Sequence, residues 1–124
     1  RVFYSDYVSI RDSLTEPFTT ETGEFTLKEL VVFRNNMPHA CPVWRRSIHE
    51  DIGYFNPGLR VSGDTEFWLR CLLNGVRFQR IPLTLYSYYE NPFGLSTSSG
   101  SRGQIEWAGI LETNSKKIIE KLLG

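Results

Sequence analysis

A chain of 124 residues has the length of one small domain or of part of a larger one. Its 14 Lys and Arg residues balance its 14 Asp and Glu residues, so no net field draws it to nucleic acid or to an anionic membrane. No run of about 18 apolar residues occurs and no signal-peptide pattern is present, so the sequence offers no membrane span.

The 8 Phe, 6 Tyr and 3 Trp favour a packed core and leave rings for stacking on a ligand. The two cysteines, Cys41 and Cys71, match no metal-binding spacing. Each sits among apolar residues and reads as a reduced thiol, which points to a cytoplasmic chain. A Cys41–Cys71 disulfide stays open as the alternative, as does membrane association through regions outside this chain.

Residues 2–10, rich in aromatic and β-branched side chains, predict a strand. Residues 11–25, with Pro17 and Gly23, predict a loop or an irregular hairpin. Thr26 and Glu29 have capping-box spacing and open a helix whose apolar face is Leu27, Leu30, Val31 and Phe33. Asn35-Asn36 ends it. Pro38 and Pro42 make residues 37–43 extended and unfit for a central strand. Ser47 and Glu50 form a second capping box on a short helix that Gly53 ends. A Gly/Pro/Asn-rich loop follows over 53–63. A helix runs from Asp64, as its N-cap, to Asn74, with Gly75 as the stop. Residues 77–89 are extended with an interruption at Pro82, and residues 90–103, rich in Gly, Ser and Pro, predict a mobile loop. The last helix, 104–123, carries Trp107, Leu111, Ile118 and Leu122 along one stripe and an i,i+4 pair of Glu112 and Lys116 on the other side.

The informative stretch is His39 to Ser98. The run Met37-Pro38-His39-Ala40-Cys41-Pro42-Val43-Trp44-Arg45-Arg46-Ser47 leads through Gly53-Tyr54-Phe55 to Gly63-Asp64-Thr65-Glu66-Phe67-Trp68-Leu69-Arg70. Ile81-Pro82-Leu83-Thr84-Leu85-Tyr86 follows. This succession resembles the second half of the family 2 glycosyltransferases of the GT-A fold, where a segment like "hPsvmfRrs" leads through "GgF" to an "ED…lWLrl" helix and then to an "iP..l..Y" strand. Val2-Phe3-Tyr4-Ser5-Asp6-Tyr7 is similar to the "vvysdy" strand that follows the family's DXD motif. The resemblance covers roughly residues 2–98, and its specificity lies in the order and spacing of motifs that are weak singly.

The resemblance implies an inverting transfer of a sugar from a nucleotide-sugar donor to a hydroxyl of a glycan or lipid-linked acceptor. It makes Asp64, the second acid of the "ED" motif, the general base. Glu66 is then a neighbouring acid that tunes the base or binds acceptor, or simply a partner of the helix dipole. Three departures stand out. Gly63 holds the place where the family often has Glu. Asn91 falls near the place of a His that in some GT-A enzymes helps bind metal. No DXD motif is present, and Asp6 lies beyond where that motif ends, so the ligands of the implied Mg or Mn ion lie mainly outside this chain.

Four further residues are candidates for substrate binding. His39 can line the sugar or acceptor pocket, although a lone His is equally a structural residue. Arg45 and Arg46 can reach a diphosphate through bidentate bonds, or can be solvated. Arg70 can hold a carboxylate in place or be a surface arginine. Trp44 and Trp68 belong to the core or give a sugar a stacking platform.

The expected fold is α+β: a small mixed sheet with packed helices, the acceptor-side half of a GT-A domain without its nucleotide-binding half. The opening at Arg1, directly on a strand-like triplet, reads as an excised piece. Such a piece should expose a sheet edge and self-associate. The competing class is a non-catalytic protein-interaction module built on the aromatic-rich sheet and the last helix.

Overall fold

A computed structural model of the chain describes residues 1–10, 18–89, 93–94 and 100–124. Strand β1 (Val2–Ile10) is its axis. Val2, Tyr4, Ser5 and Asp6 are all buried, the pattern of a strand covered on both faces. Along one edge of β1 runs β4 (Phe78–Tyr89) in parallel register. The other edge is shared by two short antiparallel strands, β2 (Phe18–Thr20) at residues 7–9 and β3 (Val43–Trp44) at residues 2–3. Between them the Ser5 N–H donates to the Ala40 carbonyl at 3.1 Å. The sheet is therefore mixed, and the fold is α+β.

Pro82 does not break β4 but disturbs its pairing. Ser5 pairs with Ile81, Asp6 with Thr84 and Tyr7 with Tyr86, so β4 spends extra residues where the proline has no N–H to give. β2 supplies the irregular hairpin expected over 11–25, of which residues 11–17 lie outside the described residues. The mobile loop expected over 90–103 falls largely on residues 90–92 and 95–99, also outside them, and Asn91 is one of these.

The helices follow the apolar periodicity closely, but their caps less so. Helix α1 (Leu27–Val31) starts at Thr26, whose Oγ1 accepts the Glu29 N–H at 3.3 Å. The Glu29 carboxylate accepts instead from the Asn35 side chain at 3.3 Å. α1 is shorter than the periodicity suggests, and Phe33 beyond it is exposed. Residues 37–39 are not extended: they form a 3-10 turn with Pro38 in its first turn, where a missing N–H costs nothing. Cys41 then takes a positive φ of 50°. Helix α2 (Ile48–Ile52) lacks the expected capping box, because Ser47 is itself in helical geometry and its hydroxyl cannot turn back. Gly53, at φ 87°, ends α2.

Helix α3 (Gly63–Leu73) packs Phe67, Trp68, Leu69 and Cys71 into the core. Gly75, at φ 79°, follows its end. Helix α4 (Arg102–Leu123) begins two residues earlier than expected and buries Trp107, Ile110 and Ile118, while Leu122 turns outward. These residues join Val2, Tyr4, Phe25 and Leu30 in one core. Both cysteines are free, and burial pushes the Cys71 thiol up to about 11. Among the described residues no helix is long and apolar enough to cross a membrane.

Candidate functional site

The start of α3 forms the lip of an open cleft of about 790 Å³. Asp64 and His39 both line it, together with Asn36, Tyr88, Trp107 and two arginines, Arg34 and Arg60. Two of the six residues singled out from sequence therefore meet here, brought together from the 3-10 turn and from α3.

Asp64 is not the N-cap of its helix. Ser62 holds that position, and Asp64 is the second helical residue. Its Oδ1 accepts the Thr65 N–H at 2.8 Å. Its Oδ2 accepts from the Asn36 side-chain amide at 2.9 Å. The orientation of Asn36 is fixed from its other side: Trp68 Nε1, which can only donate, reaches Asn36 Oδ1 at 3.0 Å. A buried indole thus aims an amide, and the amide aims the carboxylate. A ring in the core and the half-buried acid at the cleft are linked through one residue.

His39 lies edge-on to Tyr7, with ring centroids 4.8 Å apart, and tilted against Tyr88 at 5.1 Å. Burial lowers its pKa, against the opposing pull of the Asp64 charge, so the neutral ring is favoured. Its Nδ1 is buried without a hydrogen-bond partner among the described residues. The same holds for Trp107 Nε1 on the α4 side of the cleft, where the residue is 5% exposed. Buried polar atoms are nearly always satisfied, and two unsatisfied ones in the walls of one cleft set this region apart.

The remaining nominated residues lie elsewhere. Glu66 is two positions from Asp64, a step that turns a helical side chain well away from the first. It lines a separate groove between α3 and α4 and pairs with Arg70 at 2.7 Å. Arg70 does hold a carboxylate, that of Glu66, and it also donates to the carbonyls of Ile52 at 2.8 Å and Tyr54 at 2.6 Å. It is committed to tying the loop after α2 onto α3. Arg45 and Arg46 are exposed. Arg45 lines a third cavity with Arg1 and Arg77, beside Gly75 at the far end of α3, which as an 11-residue helix spans about 16 Å. Among the described residues, the arginines that line the cleft are Arg34 and Arg60. Trp44 and Trp68 are core rings, 5.6 Å apart and edge to face.

Sequence reading missed three polar anchors. Asn36 looked only like a helix stop. Asp6 is held by Arg80 at 2.9 and 2.7 Å and by the N–H and hydroxyl of Thr22, both at 2.9 Å. The Arg80 guanidinium is the main cause that pulls its pKa down to about 2. Glu106 accepts the backbone N–H groups of Arg60 at 2.8 Å, Val61 at 2.8 Å and Ser62 at 2.9 Å. Those bonds hold its pKa at about 2. The only local signal for Glu106 was its i,i+4 spacing from Arg102, which pairs with it at 3.3 Å.

The departure at Gly63 has a simple geometry: a Cβ there would meet open space, so a side chain at this position would not disturb the lip. Among the described residues no group of three His, Cys, Asp or Glu side chains is placed to hold a metal ion. The donor set of the cleft, one imidazole and one carboxylate, does not make a metal site by itself, and no step is derived through one. No protein-family model matches the chain, and neither does any curated protein or solved structure.

Proposed function

We propose that the chain is the acceptor-side half of an inverting, nucleotide-sugar-dependent glycosyltransferase catalytic domain, with Asp64 as its general base. The observation that carries the reading is the setting of Asp64. It is a half-buried carboxylate at the lip of an open cleft, held at one oxygen by Asn36, beside the aromatic rings of His39 and Tyr88. A general base needs a fixed position and an accessible lone pair, and among the described residues this carboxylate has no salt-bridge partner of the kind that holds Asp6.

In this reading an acceptor hydroxyl enters the cleft and gives its proton to Asp64 as its oxygen attacks the anomeric carbon. The new C–O bond forms as the bond from that carbon to the phosphate oxygen breaks. The nucleoside diphosphate leaves with the electron pair, and one in-line displacement inverts the configuration. Arg34 and Arg60 are the cationic groups within the cleft, suited to an anionic portion of the substrate. Arg45 and Arg46 serve a diphosphate only if it reaches the opposite end of α3. The reading assigns the ligands of a divalent metal mainly to residues outside this chain, and the protein to the cytoplasmic compartment.

The test is a panel of nucleotide sugars offered to a longer protein that includes a nucleotide-binding half, with transfer to glycan or lipid-linked acceptors as the readout. Turnover of one donor with inversion is expected, and no turnover across the panel contradicts the reading. The 124-residue chain alone should bind nucleoside diphosphate and Mg or Mn weakly or not at all, and a calorimetric dissociation constant of about a micromolar would contradict the assignment of the donor site elsewhere.

A second reading, an interaction module without catalysis, is favoured by β4. Leu83, Leu85, Tyr86 and Tyr89 are exposed along it, and among the described residues β4 pairs only with β1. An apolar strand edge of this kind invites another strand. Self-association in sedimentation is expected of an excised half-domain as well, so the two readings part on turnover: an interaction module transfers no sugar in the longer protein, and a monomer at all concentrations would remove the edge as support for either.

A further inference from the structure

We propose that Glu106 is a positioning residue for Asp64: by gripping the backbone just before α3 it fixes where that helix begins, and so where the Asp64 carboxylate stands in the cleft. The catalytic consequence rests on the reading of Asp64 as a base. The geometric claim does not.

Three consecutive backbone N–H groups, those of Arg60, Val61 and Ser62, converge on one carboxylate. Successive N–H groups arranged in this way form an anion-binding nest, and charge-assisted bonds of this kind are short and strong. The anion comes from α4, 44 to 46 residues further along the chain, so the contact is a tertiary clamp. Ser62 is fixed a second time, because its hydroxyl donates to the Gly103 carbonyl at 3.2 Å. The Ser62 carbonyl in turn starts the helix: it accepts the Glu66 N–H at 3.0 Å and the Thr65 hydroxyl at 3.1 Å. Asp64 follows two residues after the clamped N-cap. Gly103 permits the close approach, since a Cβ there would come within 3.1 Å of Val61.

Asp64 is thus held from two directions. Asn36 grips its side chain, and Glu106 sets its backbone. If the clamp is lost, the start of α3 can shift by a fraction of a turn while its core-facing rings stay packed. Misplacement of a catalytic group by about 1 Å costs on the order of a hundredfold in rate.

Two variants and two readouts test the proposal. NMR of the whole chain follows the amides of residues 60–62 and the side-chain amide of Asn36, which donates to Asp64. Glu106→Gln should speed hydrogen exchange at 60–62 and shift the Asn36 side-chain signals. The Asn35 side-chain amide, bound to Glu29, should stay in place as the internal control. Glu106→Asp, which keeps the charge, should restore part of both effects, and it carries the comparison should Glu106→Gln fail to fold. Unmoved Asn36 signals in a folded variant would overturn the proposal and leave Glu106 as a mere fastening. In the transfer assay Glu106→Gln should lower kcat about 10- to 100-fold with KM little changed, and an unchanged kcat would also overturn it. If Asp64→Asn retains full turnover, the catalytic reading falls while the NMR comparison still decides the geometry.

Discussion

The two ends of α3 spend their polar groups differently. Around Phe67 and Arg70 the polar side chains of Trp44, His49, Glu66 and Arg70 are bonded to one another or to backbone carbonyls. Trp44 Nε1 donates to His49 Nε2 at 3.0 Å, which leaves His49 Nδ1 to donate to the Gly53 carbonyl at 2.8 Å. His49 stacks on Tyr54 at 4.6 Å and on Phe67 at 5.3 Å. Arg70 lies over the Phe67 ring, 5.3 Å from its centroid, while it bonds two carbonyls and Glu66. Around Asp64, by contrast, His39 Nδ1 and Trp107 Nε1 are buried and have no partner among the described residues. One helix therefore joins a region whose buried polar side chains are bonded within the fold to a region where two buried nitrogens have no partner among the described residues. Satisfied networks stabilise, and unsatisfied buried groups at a cleft call for a partner such as water, an ion or a ligand.

The largest effect expected from this contrast lies in the satisfied block. Phe67 is 0% exposed and touches the rings of Trp44, His49, Phe55 and Trp68. Phe67→Ala should cost about 3–5 kcal/mol, read as a fall in melting temperature or denaturant midpoint. A loss below about 1 kcal/mol would show that this block is not the main core.

A sharper comparison sets two tryptophans against each other. Trp68→Phe and Trp107→Phe remove the same atoms, but only the first strands a partner, Asn36 Oδ1. Trp68→Phe should therefore be more destabilising than Trp107→Phe by about 1 kcal/mol, the net worth of the lost bond to a half-buried acceptor. Equal losses in chemical denaturation would remove the distinction between used and reserved groups.

The acid limb of the stability profile gives a smaller effect. Asp6 and Glu106 are both held at about 2 in the folded chain, below the ordinary values of about 3.9 and 4.3. Their folded-state pKa values are depressed, so the stability they contribute is present above about pH 4 and is lost as pH falls towards 2. Melting temperature should slip slightly as pH falls below about 6.5, because the fold favours the neutral His39 ring, and should decline further below about 4.5 as the two carboxylates protonate. Asp6→Asn should flatten part of that decline. A wild-type profile with no loss between about pH 4 and 2 would contradict both contacts.

Much of this architecture was legible in the sequence, because it is local. The strand at 2–10, the Thr26 cap, the glycine stops at Gly53 and Gly75 and the apolar face of α3 each depend on neighbours within a few residues. The misreadings share one cause: a local pattern whose backbone geometry was decided elsewhere. Ser47 has the spacing of a capping box but sits in helical geometry. Asp64 has the composition of an N-cap but follows a helix start set by Glu106 from 44 residues away. Asp6 and Arg80, 74 residues apart, left no trace in spacing at all. Within the site, periodicity was enough to place Asp64 at a helix start and to bury Phe67 and Trp68 behind it. It was not enough to show that Glu66 would turn away, that Arg45 would lie at the other end of α3, or that Asn36 would hold the acid.

On the proposed reading Asp64 belongs to the working end of α3 and not to its scaffold. Asp64→Asn decides it. The amide oxygen of the new side chain can still accept from Asn36, while its NH2 faces the Thr65 N–H and that one local bond is lost, so melting should fall by the equivalent of about 1 kcal/mol. What is lost is the ability to take a proton, and removal of a general base costs about a hundred- to ten-thousandfold in rate. Measured together in the nucleotide-sugar transfer assay and by thermal melting, the account predicts a nearly unchanged melting temperature and a collapsed rate. A near-wild-type rate, or a rate that falls only as far as the protein unfolds, would contradict it.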